Sequence, residues 1–328
     1  MDRVRTKTFH FLSANMYSEI YGKMWIPEGN IRAIVQISHG MAEHIERYGE
    51  FAEFLAGNGI LVVGNDHMGH GKSVQSEEDL GYFAIPVKGM SRKKREQYSS
   101  SALTVKDLLH ITKIVKKHYP GVPYILLGHS MGSFLVRRYL MECGEEIDGA
   151  ILMGTGHHSS KELCMGRIVN KCISLIKGER YRSKILNRIL FGAYNRRIKN
   201  KTGKSDWVTS DEKKRTEYDN DKRCGFIFTM NGIEALLSTL HYIVKPENIE
   251  KMPTNIKMMV LSGNDDPVGN YGEGVKKMYQ EYVRHGISDI SIKLYDECRH
   301  ELLNEKIKDV VYKDILDWID EHVIYAYF

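Results

Sequence analysis

Tyr124-Ile125-Leu126-Leu127-Gly128-His129-Ser130-Met131-Gly132-Ser133-Phe134 joins an apolar run of strand length to a helical pattern over 134–141. The join itself reads G-x-S-x-G, with Gly128 and Gly132 flanking Ser130. A serine held between a strand and a helix needs a sharp, strained turn, and side chains at the flanking positions would clash there. Such a turn projects Ser130 outward and sets the backbone N–H groups of a helix N-terminus beside it, where they can stabilise developing negative charge. The five-residue pattern recurs by chance. The strand before it and the helix after it give it meaning.

Similar apolar, β-branched runs lie at 31–38, 60–65, 149–153, 256–262 and 290–295. Near-continuous apolar strands alternating with helices predict a mostly parallel central sheet buried on both faces, an α/β fold. Between 99 and 118 apolar residues fall at Leu103, Leu108, Leu109, Ile111, Ile114 and Val115, a helical period that Pro120 ends. The alternation stops between about 157 and 243, where the pattern is helical and basic, and strands resume at 256. The expected organisation is therefore one α/β core over 1–156 and 244–328, interrupted by an inserted helical cap over 157–243. No internal repeat or low-complexity tract is visible.

A serine hydroxyl is a weak nucleophile unless a base is held against it, and the base needs a carboxylate to fix its tautomer. Gly263-Asn264-Asp265-Asp266-Pro267 follows the strand at 256–262, and Arg299-His300-Glu301 follows the strand at 290–295. Both stand at the carboxyl ends of strands, where open α/β sheets assemble their sites. His300 is the candidate base, and Asp265 and Asp266 compete as the acid. An oxyanion also needs two N–H donors. Met131, just after Ser130, supplies one, and Met41, in the His39-Gly40-Met41 turn after the strand at 31–38, supplies the other.

Other chemistries fit poorly. Gly69-His70-Gly71-Lys72-Ser73 ends like a phosphate-binding loop, but Asp66 stands where that motif needs its first glycine. His39 with His44, and His157 with His158, lack metal-ligand spacing, so neither metal nor cofactor is expected. Cys298 reads as a packed thiol. The chain has 42% hydrophobic and 27% charged residues, a net charge of +5 and no nucleic-acid recognition motif, so no nucleic-acid partner is expected. Five widely spaced cysteines suit a reducing compartment. With no signal-peptide pattern in residues 1–12 and no apolar run of spanning length, the expected location is cytoplasmic.

With these residues in view, the chain resembles the monoacylglycerol lipase and lysophospholipase branch of the α/β-hydrolases, a group also described as serine aminopeptidase-like. The resemblance rests on His39-Gly40-Met41-Ala42-Glu43-His44 with Arg47-Tyr48, on the segment from Asp66 to Ser73, on Gly128 to Gly132, and on the stretch from Asp206-Trp207 to Cys224-Gly225-Phe226. It covers nearly the whole chain, apart from the first half of the cap. In that family the acid follows a glycine by three residues and often precedes proline, which selects Asp266. The resemblance implies a serine hydrolase acting on a carboxylic ester, with a monoacylglycerol or lysophospholipid as substrate. It also leaves room for an aminopeptidase or amidase on the same triad, and for a non-catalytic binding protein of this fold.

One further pattern lies in the cap. Residues 161–204 hold 13 Lys and Arg against two acids, Glu162 and Glu179, a net +11 in a chain that nets +5. Met165, Ile168, Val169, Cys172, Ile173 and Ile176 recur at helical spacing, with Ile185, Ile189 and Tyr194 more loosely so. An apolar stripe there ordinarily packs on the core or lines an acyl pocket. The single sign of the charge instead suits peripheral contact with an anionic membrane.

Overall fold

In a computed structural model that describes residues 4–84 and 99–325, the strand before Ser130 is β5 (Tyr124–His129). Tyr124 and Leu126 enter one hydrophobic cluster and Ile125 and Leu127 another, and all four are fully buried. That division is the period of two expected of a strand covered on both faces. Around it run β1 (Arg5–Leu12), β2 (Glu19–Ile26), β3 (Ala33–Ser38), β4 (Ile60–Asn65), β6 (Gly149–Met153), β7 (Lys257–Gly263) and β8 (Ile290–Tyr295). They form one eight-stranded sheet in the order β1-β2-β4-β3-β5-β6-β7-β8. From β4 to β8 every neighbouring pair is parallel.

The six strands expected from sequence are all present, three with the expected bounds and three with ends shifted by one or two residues. The antiparallel β1 and β2 are additional. Most of β1 is exposed and carries Arg5, Lys7 and His10, as an edge strand can, so it lacks the apolar run of a central strand.

Helices Gly49–Gly57 and Lys308–Trp318 cover one face, Phe51, Leu55 and Ile315 packing with Ile125 and Leu127. Helices Ser100–His118, Met131–Cys143 and Glu273–Arg284 cover the other. Between β6 and β7 the chain forms helices Ser160–Lys177, Lys184–Phe191, Glu212–Asn220 and Met230–Ile243 and the short turn Pro246–Ile249, with no strand among the described residues. Met230–Ile243 is the joint of this insertion. It packs on Ser160–Lys177 on one side and on Ser100–His118 and Met131–Cys143 on the other.

The parallel register has one functional consequence. Ser38 pairs with Gly128, His129 with Met153 and Gly263 with Tyr295, so the strands end together. The loops carrying Met41, Ser130, Asp266 and His300 therefore leave the same edge of the sheet.

Candidate active site

Ser130 sits between β5 and helix Met131–Cys143 with φ +53° and ψ −121°, a conformation that L-residues rarely adopt. The surroundings enforce it. Ser130 N donates to Met153 O at 2.9 Å, and its carbonyl accepts from Ser133 Oγ at 2.6 Å. A Cβ on Gly132 would lie 1.9 Å from Ser38 O, and one on Gly128 2.5 Å from Gly132 O. The turn thus needs both glycines because β3 and the helix start pass too close for side chains.

Asp266 and His300 are brought together. Asp266 Oδ2 lies 2.9 Å from His300 Nδ1, with both side chains buried. Asp266 Oδ1 accepts from Val268 N at 2.9 Å, which fixes the carboxylate. Asp265, the competing acid, is exposed, and its N–H donates to Cys298 O. The Ser130 hydroxyl makes no hydrogen bond among the described residues, so the serine and the imidazole are not joined here. Bonds of this kind often tighten only when substrate binds.

His300 is packed from two sides, by Trp207 with ring centroids at 5.0 Å and by His129 at 4.7 Å. Tyr194 extends the aromatic wall, edge-on to Trp207 at 4.8 Å.

The loop after β3 is bent so that one amide is left over. His39 Nδ1 donates to Gly40 O, while its Nε2 accepts from His67 N, both at 2.8 Å. Burial pulls the His39 pKa down and keeps the ring neutral for these two roles. Gly40 N donates to Glu43 Oε1 at 2.5 Å, and Ala42 N to His70 Nε2 at 3.2 Å, Ala42 standing at φ +52°. Between them the Met41 N–H has no partner among the described residues. The same holds for Met131 N–H, at the start of its helix.

Beneath the serine lies a charged network whose residues the sequence displayed but did not connect. Glu43 Oε1 contacts His129 Nδ1 at 3.1 Å and accepts from Tyr48 OH at 2.8 Å. Burial favours a neutral Glu43, yet His129 and Arg47 hold its carboxyl well below the usual range. Burial likewise opposes charge on His129, but Glu43 raises its pKa above the ordinary value. Arg47 donates to Glu43 at 2.9 Å and grips Glu301 with both terminal nitrogens. His129 Nε2 lies 3.3 Å from His300 O. Glu301 follows His300 directly, but its pairing with Arg47 crosses more than 250 residues, and no local pattern reveals that.

Neither histidine pair noted in the sequence converges on a metal position. His39 and His44 turn to different partners, and His157 lies near Glu281 while His158 packs on Phe134. His44, Asp221 and Cys224 do bring three possible ligand atoms within 4.8 Å of one another. Arg223 binds both oxygens of that Asp221, however, and its positive charge opposes a cation there. Burial pushes the Cys298 thiol up to about 12, so it stays protonated and packed.

The sequence profile described as serine aminopeptidase, S33, matches residues 29–307. A monoglyceride lipase homolog of Monkeypox virus is 27% identical over 312 residues, covering 93% of this chain and 95% of that protein. Human monoglyceride lipase is 35% identical over 113 residues, 34% of this chain and 31% of that protein. Among solved structures, a thermostable carboxyl esterase from Bacillus coagulans, in complex with glycerol, superposes with a TM-score of 0.85 at 28% identity. It covers 98% of this chain and 99% of that one.

Proposed function

The chain belongs to the serine aminopeptidase S33 family, and we propose that this α/β-hydrolase, an ester hydrolase, cleaves single-chain acyl esters, monoacylglycerols first, through an acyl-enzyme on Ser130. The observation that carries this is the Asp266–His300 pair at the sheet edge from which the strained Ser130 turn also emerges. In this reading Ser130 Oγ attacks the ester carbonyl while His300 Nε2 takes its proton, and Asp266 holds the tautomer and stabilises the imidazolium. The Met41 and Met131 N–H groups receive the oxyanion. His300 then protonates the departing alcohol and activates the water that releases the acid. No step calls for a cofactor.

The lipase homolog matched over 93% of the chain supports an acylglycerol substrate, and lysophospholipid is the second candidate of the same chemical class. The aminopeptidase reading needs a free carboxylate to hold a substrate amine. The partly or fully buried acids of the insertion are already engaged: Asp206 by Thr202 and Arg215, Asp211 by the Lys214 N–H, Asp221 by His44 and Arg223, Glu234 by Arg167. That favours uncharged esters. Five free thiols favour a reducing, cytoplasmic setting.

The test is a hydrolysis panel of monoacylglycerols of rising chain length, lysophospholipids and amino-acid amides. Monoacylglycerols should exceed amides by about a hundredfold or more in kcat/KM. Preference for an amide bearing a free amine would establish the peptidase reading instead, and no turnover of any substrate would favour a binding protein.

A further inference from the structure

The insertion reaches His300 through Trp207, and the backbone on both sides of that residue is tied down. Trp207 N donates to Asn195 Oδ1 at 2.8 Å. Asn195 Nδ2 donates in turn to Gly203 O at 3.1 Å and Lys204 O at 2.9 Å, which closes residues 195–207 on themselves. The Asp206 carboxylate accepts from Thr202 N at 2.7 Å and Gly203 N at 3.1 Å and pairs with Arg215 at 3.2 Å. From the core side, Arg299 donates to Asp206 O and His300 N to Trp207 O. Ordering this many groups of a loop costs conformational entropy, and what the order fixes is the place of one indole.

That indole lies with its ring centroid 5.0 Å from the centroid of His300, inside the roughly 6 Å over which an aromatic face attracts a cation. Tyr194 backs it edge-on at 4.8 Å. Burial, with Asp266 nearby, pushes the Tyr194 phenol up, so this second ring stays neutral. His129, on the other side of His300 at 4.7 Å, offers no such face. Glu43 raises its pKa, and a positive ring repels a second one. The other charged groups around the imidazole are Asp266, which it bonds, Glu301 held by Arg47, and Arg299 held on the carbonyls of Asp206 and Thr209. The attraction between Trp207 and His300 becomes strong only while His300 carries a second proton. An interaction made chiefly in that state lowers a barrier and does not merely tighten the resting protein.

We propose that Trp207 is a positioning residue for His300: its indole keeps the imidazole turned between Ser130 and Asp266 and stabilises the imidazolium formed when the Ser130 proton moves to Nε2. This role rests on the serine-hydrolase reading of Ser130 and His300.

The test is the rate at which a fluorophosphonate labels Ser130 in the parent, Trp207→Phe and Trp207→Leu, followed from about pH 5 to about pH 9. Labelling uses the same proton transfer and needs no release of product. Its rate falls at low pH as His300 takes up a proton. Trp207→Leu should label about tenfold more slowly on the plateau, and its fall should move to lower pH, because an imidazolium without its aromatic partner forms less readily. Trp207→Phe should recover most of both. A Leu variant that labels like the Phe variant would overturn the proposal. So would a fall that stays in place, or one that moves to higher pH as it would if water simply entered. Should the Leu variant not fold, the parent answers by fluorescence. The emission of Trp207, taken as the difference from Trp207→Phe, should be quenched with the midpoint of the labelling curve, and His300→Gln should abolish the change. Emission that ignores pH, or a change that survives in His300→Gln, would contradict the contact. A parent that no fluorophosphonate labels would overturn the serine reading and this role with it, whereas normal labelling of the parent with an unaltered Leu variant would overturn this role alone.

Discussion

At the level of single residues, Ser130 carries two burdens, its proposed chemistry and its backbone strain, and they can be separated. Replacing it with alanine removes the hydroxyl and keeps the strain, whereas glycine removes both. Ser130→Gly should therefore be more stable than Ser130→Ala by about 1 kcal/mol, after allowance for glycine's unfolded-state entropy. Denaturant melts of the two variants measure this, and the reverse order would contradict the strain seen at φ +53°. The two adjacent carboxylates separate just as cleanly. Asp266 is buried against His300 and Asp265 is exposed. Asp266→Asn should lower kcat by on the order of 10⁴, because the amide favours the wrong tautomer, while Asp265→Asn stays within a few-fold. Ester hydrolysis rates read the difference. Ser130 and His300 stand out in the sequence as candidates because each follows a readable strand. Asp265 and Asp266 share that position, so the sequence pattern left them tied until a family resemblance chose between them. Their burial now separates them.

At the scale of the element, the loop after β3 and the loop after β8 are tied by charge. Glu43 and Glu301 share Arg47, and Glu43 also holds His129, the residue beside Ser130. Removing one partner of such a buried set strands the others, so Glu43→Gln should cost about 3 kcal/mol. The loss should vary with pH. Glu43 has a lowered folded-state pKa, so its contribution is present above its ordinary value of 4.5 and fades as pH falls through the lowered value. His129 has a raised one, so its contribution is complete below 6.5 and fades as pH rises through the raised value. The stability gap between parent and Glu43→Gln should be widest between 4.5 and 6.5 and narrow on both sides. Chemical denaturation across pH tests this, and a gap that keeps widening above 6.5 would rule out a charged His129. None of this network was readable in advance. Its charges are ordinary surface residue types, and only the fold brings positions 43, 47, 129 and 301 together.

At the scale of the whole molecule, the insertion meets the core a second time at the loop that carries His300. Trp207 O accepts from His300 N, Val208 O from Glu301 N, and Thr209 O from Arg299 Nη1, so residues 206–210 and 299–305 form one seam. Arg299→Ala should loosen both strips together and lower kcat/KM about tenfold. Hydrogen exchange should then show protection lost in both, and loss in one alone would mean that they move independently. The parallel core was legible because strands buried on both faces leave near-continuous apolar runs. The β1–β2 hairpin was not, because β1 is a mostly exposed edge strand and the apolar run of β2 is broken by Gly22 and Lys23. The outward turn of the cap's apolar stripe, which leaves Met165, Ile168 and Ile176 exposed, was also hidden, since periodicity identifies a face without saying what it meets. In the proposed reaction Ser130 Oγ takes the acyl group. The most direct measurement is intact-mass and peptide mapping after reaction with a fluorophosphonate. One adduct on Ser130 is expected in the parent and none in Ser130→Ala, whereas an adduct on any other residue, or persistent labelling of that variant, would contradict the account.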